Sequence, residues 1–175
     1  MPKLYKILVG GRSCHGGDLT WSLPVEGKPG AWHEVETVEI CQSGLHLTDD
    51  PASWWKPGCQ IFEAEAEGVE GDVSAGDRKV VAKRARLLRE VTSAEELSSL
   101  RIWSAGEHEV SGGDKAIALG SSRVMAYGSS TVTARDSSHV EASNYSRVMA
   151  YDSSTVWAYD SSHVEACGSS TVIRK

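Results

Sequence analysis

Residues 120–127 read Gly120-Ser121-Ser122-Arg123-Val124-Met125-Ala126-Tyr127, and residues 152–159 read Asp152-Ser153-Ser154-Thr155-Val156-Trp157-Ala158-Tyr159. The same phrase runs without a gap from 112 to 175 in eight octads, which open at Gly112, Gly120, Gly128, Asp136, Asn144, Asp152, Asp160 and Gly168. A short fixed period is the mark of a solenoid, in which each unit buries its apolar face only by stacking on its neighbours. Within an octad, alternation puts Val124 and Ala126, Val132 and Ala134, Val140 and Ala142, Val148 and Ala150, Val156 and Ala158, and Val164 and Ala166 on one face. Ala116 and Ala118 fill the same slots in the first octad. The recurring small residues are therefore expected inside, with Gly, Asp or Asn followed by Ser at each corner, because these residues tolerate left-handed backbone.

A second period of 24 is also visible, since Arg-Val-Met-Ala recurs from Arg123 to Arg147 and His-Val-Glu-Ala from His139 to His163. A coil of that length would stack Arg123 on Arg147 and Glu141 on Glu165, which is unfavourable. It would also leave a centre too wide for Val and Ala to fill. The expected coil is a flattened one of two octads, with the longer period a trace of duplication.

Charge divides the 175 residues. Residues 1–111 hold 12 basic and 18 acidic side chains, and residues 112–175 hold 6 of each. With the Ser111-Gly112-Gly113 joint, this sets expected domains of 1–111 and 112–175. The expected fold class is an acidic α+β domain followed by an all-β solenoid of eight octapeptide repeats. Neither half is basic, so no nucleic-acid partner is expected. No stretch is long and apolar enough to span a bilayer, no signal peptide opens the chain, and a cytoplasmic protein without membrane contact is expected. Cys14, Cys41, Cys59 and Cys167 lack metal-ligand spacing and read as idle or buried thiols in a reducing compartment.

In the first half, residues 4–9 and 60–67 read as strands, the latter with Phe62, Ala64 and Ala66 on one face and Glu63, Glu65 and Glu67 on the solvated one. Residues 35–40 and 79–88 are further strand candidates, and 44–47 is short and apolar. Asp49 or Asp50 can cap a short helix with Pro51 at its first position. Ser93 and Glu96 form a capping box for another.

Tyr5-Lys6, Cys14-His15-Gly16, Cys41-x-x-Gly44-Leu45-His46, Asp50-Pro51 and the two strand segments beyond them follow one another in an order that resembles a domain of unknown function frequent in phage and prophage proteins. The resemblance covers residues 4–91 and implies a phage or prophage setting, hence a host-cell cytoplasm. The repeats are similar to the β-rolls of trimeric autotransporter heads, with residues 116–120 the nearest phrase. Cys14-His15-Gly16-Gly17 also resembles the His-Gly-Thr of the ADP-ribosyltransferase superfamily. Gly44-Leu45-His46-Leu47-Thr48, running into the helix at Pro51, resembles its Gly-Ile-Tyr-Phe-Ala. That resemblance implies NAD as substrate: His15 would hold the nicotinamide ribose, His46 would stand where a tyrosine stacks on nicotinamide, and Glu107 or Glu109 would polarise the ribose hydroxyl. His46 in place of tyrosine and Gly17 in place of the hydroxyl residue depart from the pattern.

Met125, Tyr127, Met149, Tyr151, Trp157, Tyr159 and Ile173 fall on the outward side of the octads. Monomers rarely expose so much aromatic and Met surface, and such surfaces mark interfaces. Solenoid ends also need caps; the first coil is expected to lean on the preceding domain, and the last has only a charged tail. The reading is a non-enzymatic, cofactor-free interaction protein, self-associating through its solenoid and binding a host or phage protein. The alternative is an NAD-dependent ADP-ribosyltransferase with the solenoid as its assembly module.

Overall fold

The computed structural model describes residues 2–39, 43–71 and 78–175. Cys41 and the end of the strand expected at 35–40 lie outside the described residues. The chain divides into two compact units, Met1–Thr92 and Ser93–Lys175.

The first unit is a β structure and not the expected α+β domain. Its strands are β1 (Leu4–Val9), β2 (Arg12–Ser13), β3 (His33–Glu34), β4 (Leu45–Thr48), β5 (Gln60–Glu70) and β6 (Lys79–Glu90), and its one described helix, α1 (Pro51–Trp54), is a single turn. β1 pairs with β5 and β4, and β6 pairs with the same two strands, all antiparallel. The four strands close a ring, with β2 added to β1 and β3 to β6. The closed sheet needs no helical layer, because it wraps its own core of Leu8, Trp21, Leu45, Leu47, Phe62, Val80, Ala82, Ala85 and Leu87. The strand expected at 35–40 is not formed by its described residues; His33 and Glu34, just before it, pair with β6.

The glutamate face of β5 is answered across the ladder. Glu63, Glu65 and Glu67 bind Arg89, Arg86 and Arg84 of β6, the first two at 2.7 and 2.6 Å. Trp32 lies under both Arg84 and Arg86, 4.8 Å from each guanidinium. These exposed pairs fix strand register more than they add stability.

The second unit is a parallel β-solenoid. One sheet runs β7 (Ile102–Trp103), β9 (Lys115–Ala118), β11 (Thr131–Ala134), β13 (Arg147–Ala150) and β15 (His163–Ala166). The other runs β8 (Glu107–Val110), β10 (Arg123–Ala126), β12 (His139–Ala142), β14 (Thr155–Ala158) and β16 (Thr171–Arg174). Arg123 is paired with His139 and His139 with Thr155, so each coil takes 16 residues, two octads. Arg123 and Arg147 stand in different sheets, and the like-charge stacks of a longer coil do not arise.

Every first octad position has left-handed backbone, with φ from 53° at Asp160 to 71° at Gly168. This is why only Gly, Asp and Asn occupy it: other side chains lose about 1–2 kcal/mol there. At the two corners, carboxylates of one coil accept amide protons from the coil before. Gly120 N donates to Asp136 Oδ2 at 2.9 Å and Asp136 N to Asp152 Oδ2 at 3.3 Å. Arg135 holds the Asp152 carboxyl below the usual range by a 3.0 Å side-chain bond.

The third octad position is buried as well as the expected fifth and seventh. Ser122, Ser130, Ser138, Ser146 and Ser154 are fully enclosed beside the Val and Ala columns. The columns stay buried through Ala158; in the last coil Val164 is half-buried and Ala166 exposed.

The ladder reaches further upstream than the octads. β7 and β8 form a coil of their own, paired to β9 and β10, so these residues of the expected first domain stand in the solenoid. Trp103 takes the place of the repeat alanine opposite Ala118, and His108 that of the valine opposite Val124. Their rings stack at 4.5 Å and 3°. The helix α2 (Ala94–Ser99), capped by Ser93 as its spacing predicts, packs against β7 and accepts Trp103 Nε1–H at Ser98 O, 3.2 Å away. Residues of the same unit thus pack on the first coil.

Candidate functional site

The first unit carries a cavity of about 320 Å³ that brings His15 and His46 together. β1 supplies Tyr5 and Lys6, the turn after β2 supplies His15 and Gly17, β4 supplies His46 and Thr48, and Trp21, Trp54 and Lys79 complete its polar and aromatic walls. Gly44 opens β4 with φ 118°, and a Cβ there would meet Val81 Cγ2 at 2.3 Å, so only glycine lets the strand enter at this angle. α1 holds Trp54 so that its carbonyl lies 2.8 Å from His15 Nε2, with the two rings edge to face at 5.2 Å. Lys79 Nζ sits 5.2 Å from the centre of the Trp54 ring.

Lys6 is the most unusual residue of this site. It is 7% exposed and shares alternation parity with Leu4 and Leu8. Its Nζ donates to His46 O at 3.0 Å and to Ser13 Oγ at 3.4 Å, and lies 5.2 Å from the Trp21 ring centre. Burial pushes its pKa down to about 8. The His46 imidazole is held below its ordinary range first by burial and then by the charges of Lys79 and Lys6. The Cys14 thiol, close by, is pushed up by burial, partly offset by Lys56 and Lys6. Among the described lining residues none carries a carboxylate.

Glu109, and Glu107 with it, lie on β8 in the solenoid, paired with Met125 and Arg123. The cavity has no counterpart to the acid that ADP-ribosyl transfer requires among its described residues. In the sequence Lys6 figures only in the Tyr5-Lys6 motif and Lys79 only at the start of a strand, and neither is marked there as a site residue. The available signal was Lys6 itself, a lysine at a position whose neighbours in alternation are apolar.

The outward residues of the repeats divide between two faces. Met125, Tyr127, Trp157, Tyr159 and Ile173 share the β10–β12–β14–β16 sheet, with Met125 opposite Glu141, Glu141 opposite Trp157 and Trp157 opposite Ile173. Met149 and Tyr151 stand on the other sheet. Tyr127 and Ile173 are exposed, while Met125, Trp157 and Tyr159 are half-buried by their neighbours. Glu107, Arg123, Met125, His139, Glu141 and Trp157 outline a recess of about 270 Å³ on the first face.

Among the described residues no cluster of three potential metal ligands occurs, and no helix is long and apolar enough to cross a membrane. Fold and surface define the class of the second unit as a two-sheet parallel β-solenoid with an aromatic outer face. Beyond that class, no family model matches the chain, and neither a curated protein nor a solved structure shows significant similarity to it.

Proposed function

We propose that the chain is a non-enzymatic interaction protein that self-associates through the β10–β12–β14–β16 face of its solenoid. The observation that carries this reading is the cross-strand column Met125, Glu141, Trp157, Ile173, flanked by Tyr127 and Tyr159, on a sheet of regular parallel register. Large flat side chains on a rigid scaffold lose little entropy when covered, and burial at about 25 cal/mol per Å² can offset the cost of association. The octads, residues 112–175, hold six basic and six acidic side chains, so their net charge does not oppose contact between copies. The phage or prophage setting, and a host or phage protein as second partner, rest on the motif resemblance of residues 4–91 alone.

The reading is tested by light scattering on the parent chain and on Trp157→Glu. The variant places a charge beside Glu141 on the proposed contact and should lower the mass in solution while the first unit keeps its fold. A parent that is already monomeric contradicts self-association. Catalysis is tested separately: incubation with NAD should release no nicotinamide. Turnover abolished by His15→Ala would replace this reading with ADP-ribosyl transfer, which the meeting of His15 and His46 at one cavity favours and the absence of a carboxylate among its described lining residues opposes.

A further inference from the structure

We propose that the cavity of the first unit binds a small monocarboxylate, with the carboxylate seated at the Lys6 ammonium and the Ser13 hydroxyl and an apolar ring lying along Trp21, Leu45 and Leu47. The inference is independent of self-association by the solenoid.

Three observations carry it. First, the barrel wall is open at Lys6. Along one edge β1 pairs with β4 at Tyr5 and with β2 from Leu8 onward, so Lys6 and Ile7 stand at a gap between β4 and β2. The cavity of about 320 Å³ occupies that gap, since its lining takes residues 5–7 of β1, Ser13 of β2 and residues 45–48 of β4. The Lys6 side chain reaches across it, from β1 to the His46 carbonyl on β4 and the Ser13 hydroxyl on β2.

Second, the Lys6 charge has no counter-ion among the described residues. Its partners are a carbonyl, a hydroxyl and the face of the Trp21 indole, all neutral. The residue is 7% exposed, and with a pKa of about 8 it is still an ammonium at pH 7. A charge withdrawn from water into such surroundings is costly unless an opposite charge joins it. Ser13, Trp21 and His46 all line the cavity, so the ammonium lies at its wall. Two of its three N–H donors are used, which leaves one for a ligand. Ser13 accepts from Lys6 and can donate its own proton to the second carboxylate oxygen. One ammonium balances the single charge of a carboxylate.

Third, the surroundings on the Lys6 side are apolar. Lys6 shares its face of β1 with Leu8, which packs with Trp21, Leu45 and Leu47 in the core of the first unit. The last three also line the cavity, with Leu19 exposed at its rim. The part of the ligand beyond the carboxylate is therefore apolar, and the volume suits a compact molecule with one ring.

The experiment titrates the full chain with phenylacetate, with its neutral isostere phenylacetamide and with acetate, by calorimetry. Phenylacetate should bind saturably, and the other two at least tenfold more weakly. Lys6→Met should weaken phenylacetate at least tenfold, with thermal unfolding confirming that the variant is folded. Leu19 is exposed, so Leu19→Glu should keep the fold; its carboxylate repels the ligand or takes its place at Lys6, and should also weaken phenylacetate at least tenfold. Absence of saturable phenylacetate binding overturns the proposal. So does phenylacetamide or acetate binding as tightly as phenylacetate, or parental affinity in folded Lys6→Met. If Lys6→Met does not fold, parental affinity in Leu19→Glu overturns it instead.

Discussion

Trp157 and His139 stack on one another across adjacent strands, ring centroids 5.6 Å apart and planes inclined by 22°. His139 is paired with Thr155 and Trp157 with Glu141, so the contact is the diagonal one of a parallel ladder. It holds the indole, half-buried, against the imidazole. A side chain already held in its bound geometry loses little further freedom when a partner covers it. Trp157 thus enters the proposed contact with part of its freedom already lost.

The corner backbone makes a prediction that no surface argument would. Asn144 has φ 58° and donates its amide to Asp160 Oδ2 at 3.5 Å. Asn144→Gly keeps the conformation freely and should leave stability nearly unchanged. Asn144→Val, β-branched and ill suited to left-handed backbone, should cost about 1–2 kcal/mol. Urea unfolding of the two variants checks this; equal stability would show that the corner tolerates any residue.

The thin core makes a second. Val156 is fully buried between Val140 and Val172 in the ladder, with the adjacent columns of Ala and Ser on either side. Val156→Asp places a carboxylate where nothing can pair with it, and should destabilise the solenoid by more than about 4 kcal/mol. Far-ultraviolet circular dichroism should show the parallel sheets lost while the first unit persists. A variant that melts like its parent would contradict the inside-outside assignment.

How much of this was legible in the sequence follows from the range of the interactions. The octads declare themselves because each strand's inward residues, such as Val124 and Ala126, recur locally, and the two-octad coil follows from charge and packing alone. The first coil does not, because Trp103 and His108 fill slots that alanine and valine fill elsewhere, and the ladder is carried by backbone pairing that needs no motif. The closure of the first unit was invisible for a related reason. It depends on contacts such as Tyr5 with Thr48 and Leu45 with Ala82, far apart in sequence, which read locally as a mixture of strands and short helices. His15 and His46 were found by motif and do line one cavity, but Lys6 and Lys79 join them only through that closure.

Lys6 gives a pH-dependent prediction. Its folded pKa of about 8 lies below its ordinary 10.5, so the folded chain binds fewer protons than the unfolded one between those values. The buried charge therefore destabilises the first unit fully below about pH 8, and the cost is relieved as pH rises toward 10.5. Lys6→Met removes a cost on the order of 3 kcal/mol, less what the hydrogen bonds to His46 and Ser13 contribute. Without ligand, the variant should be more stable than the parent at pH 7, by a margin that shrinks by pH 10. The Lys6 charge also acts on Cys14 and His46, so the difference between variant and parent reports Lys6 together with its coupling to these two groups. A variant less stable than its parent at pH 7 would show that Lys6 is a structural strut.

The central claim, that the outer face of the second solenoid sheet holds copies of the chain together, is tested most directly by sedimentation equilibrium across a wide concentration range. The account predicts a mass that is a multiple of 18.8 kDa and falls toward that value on dilution or on Trp157→Glu. A mass of 18.8 kDa for the parent at every concentration would contradict it and leave the Trp157 face as a site for a foreign partner.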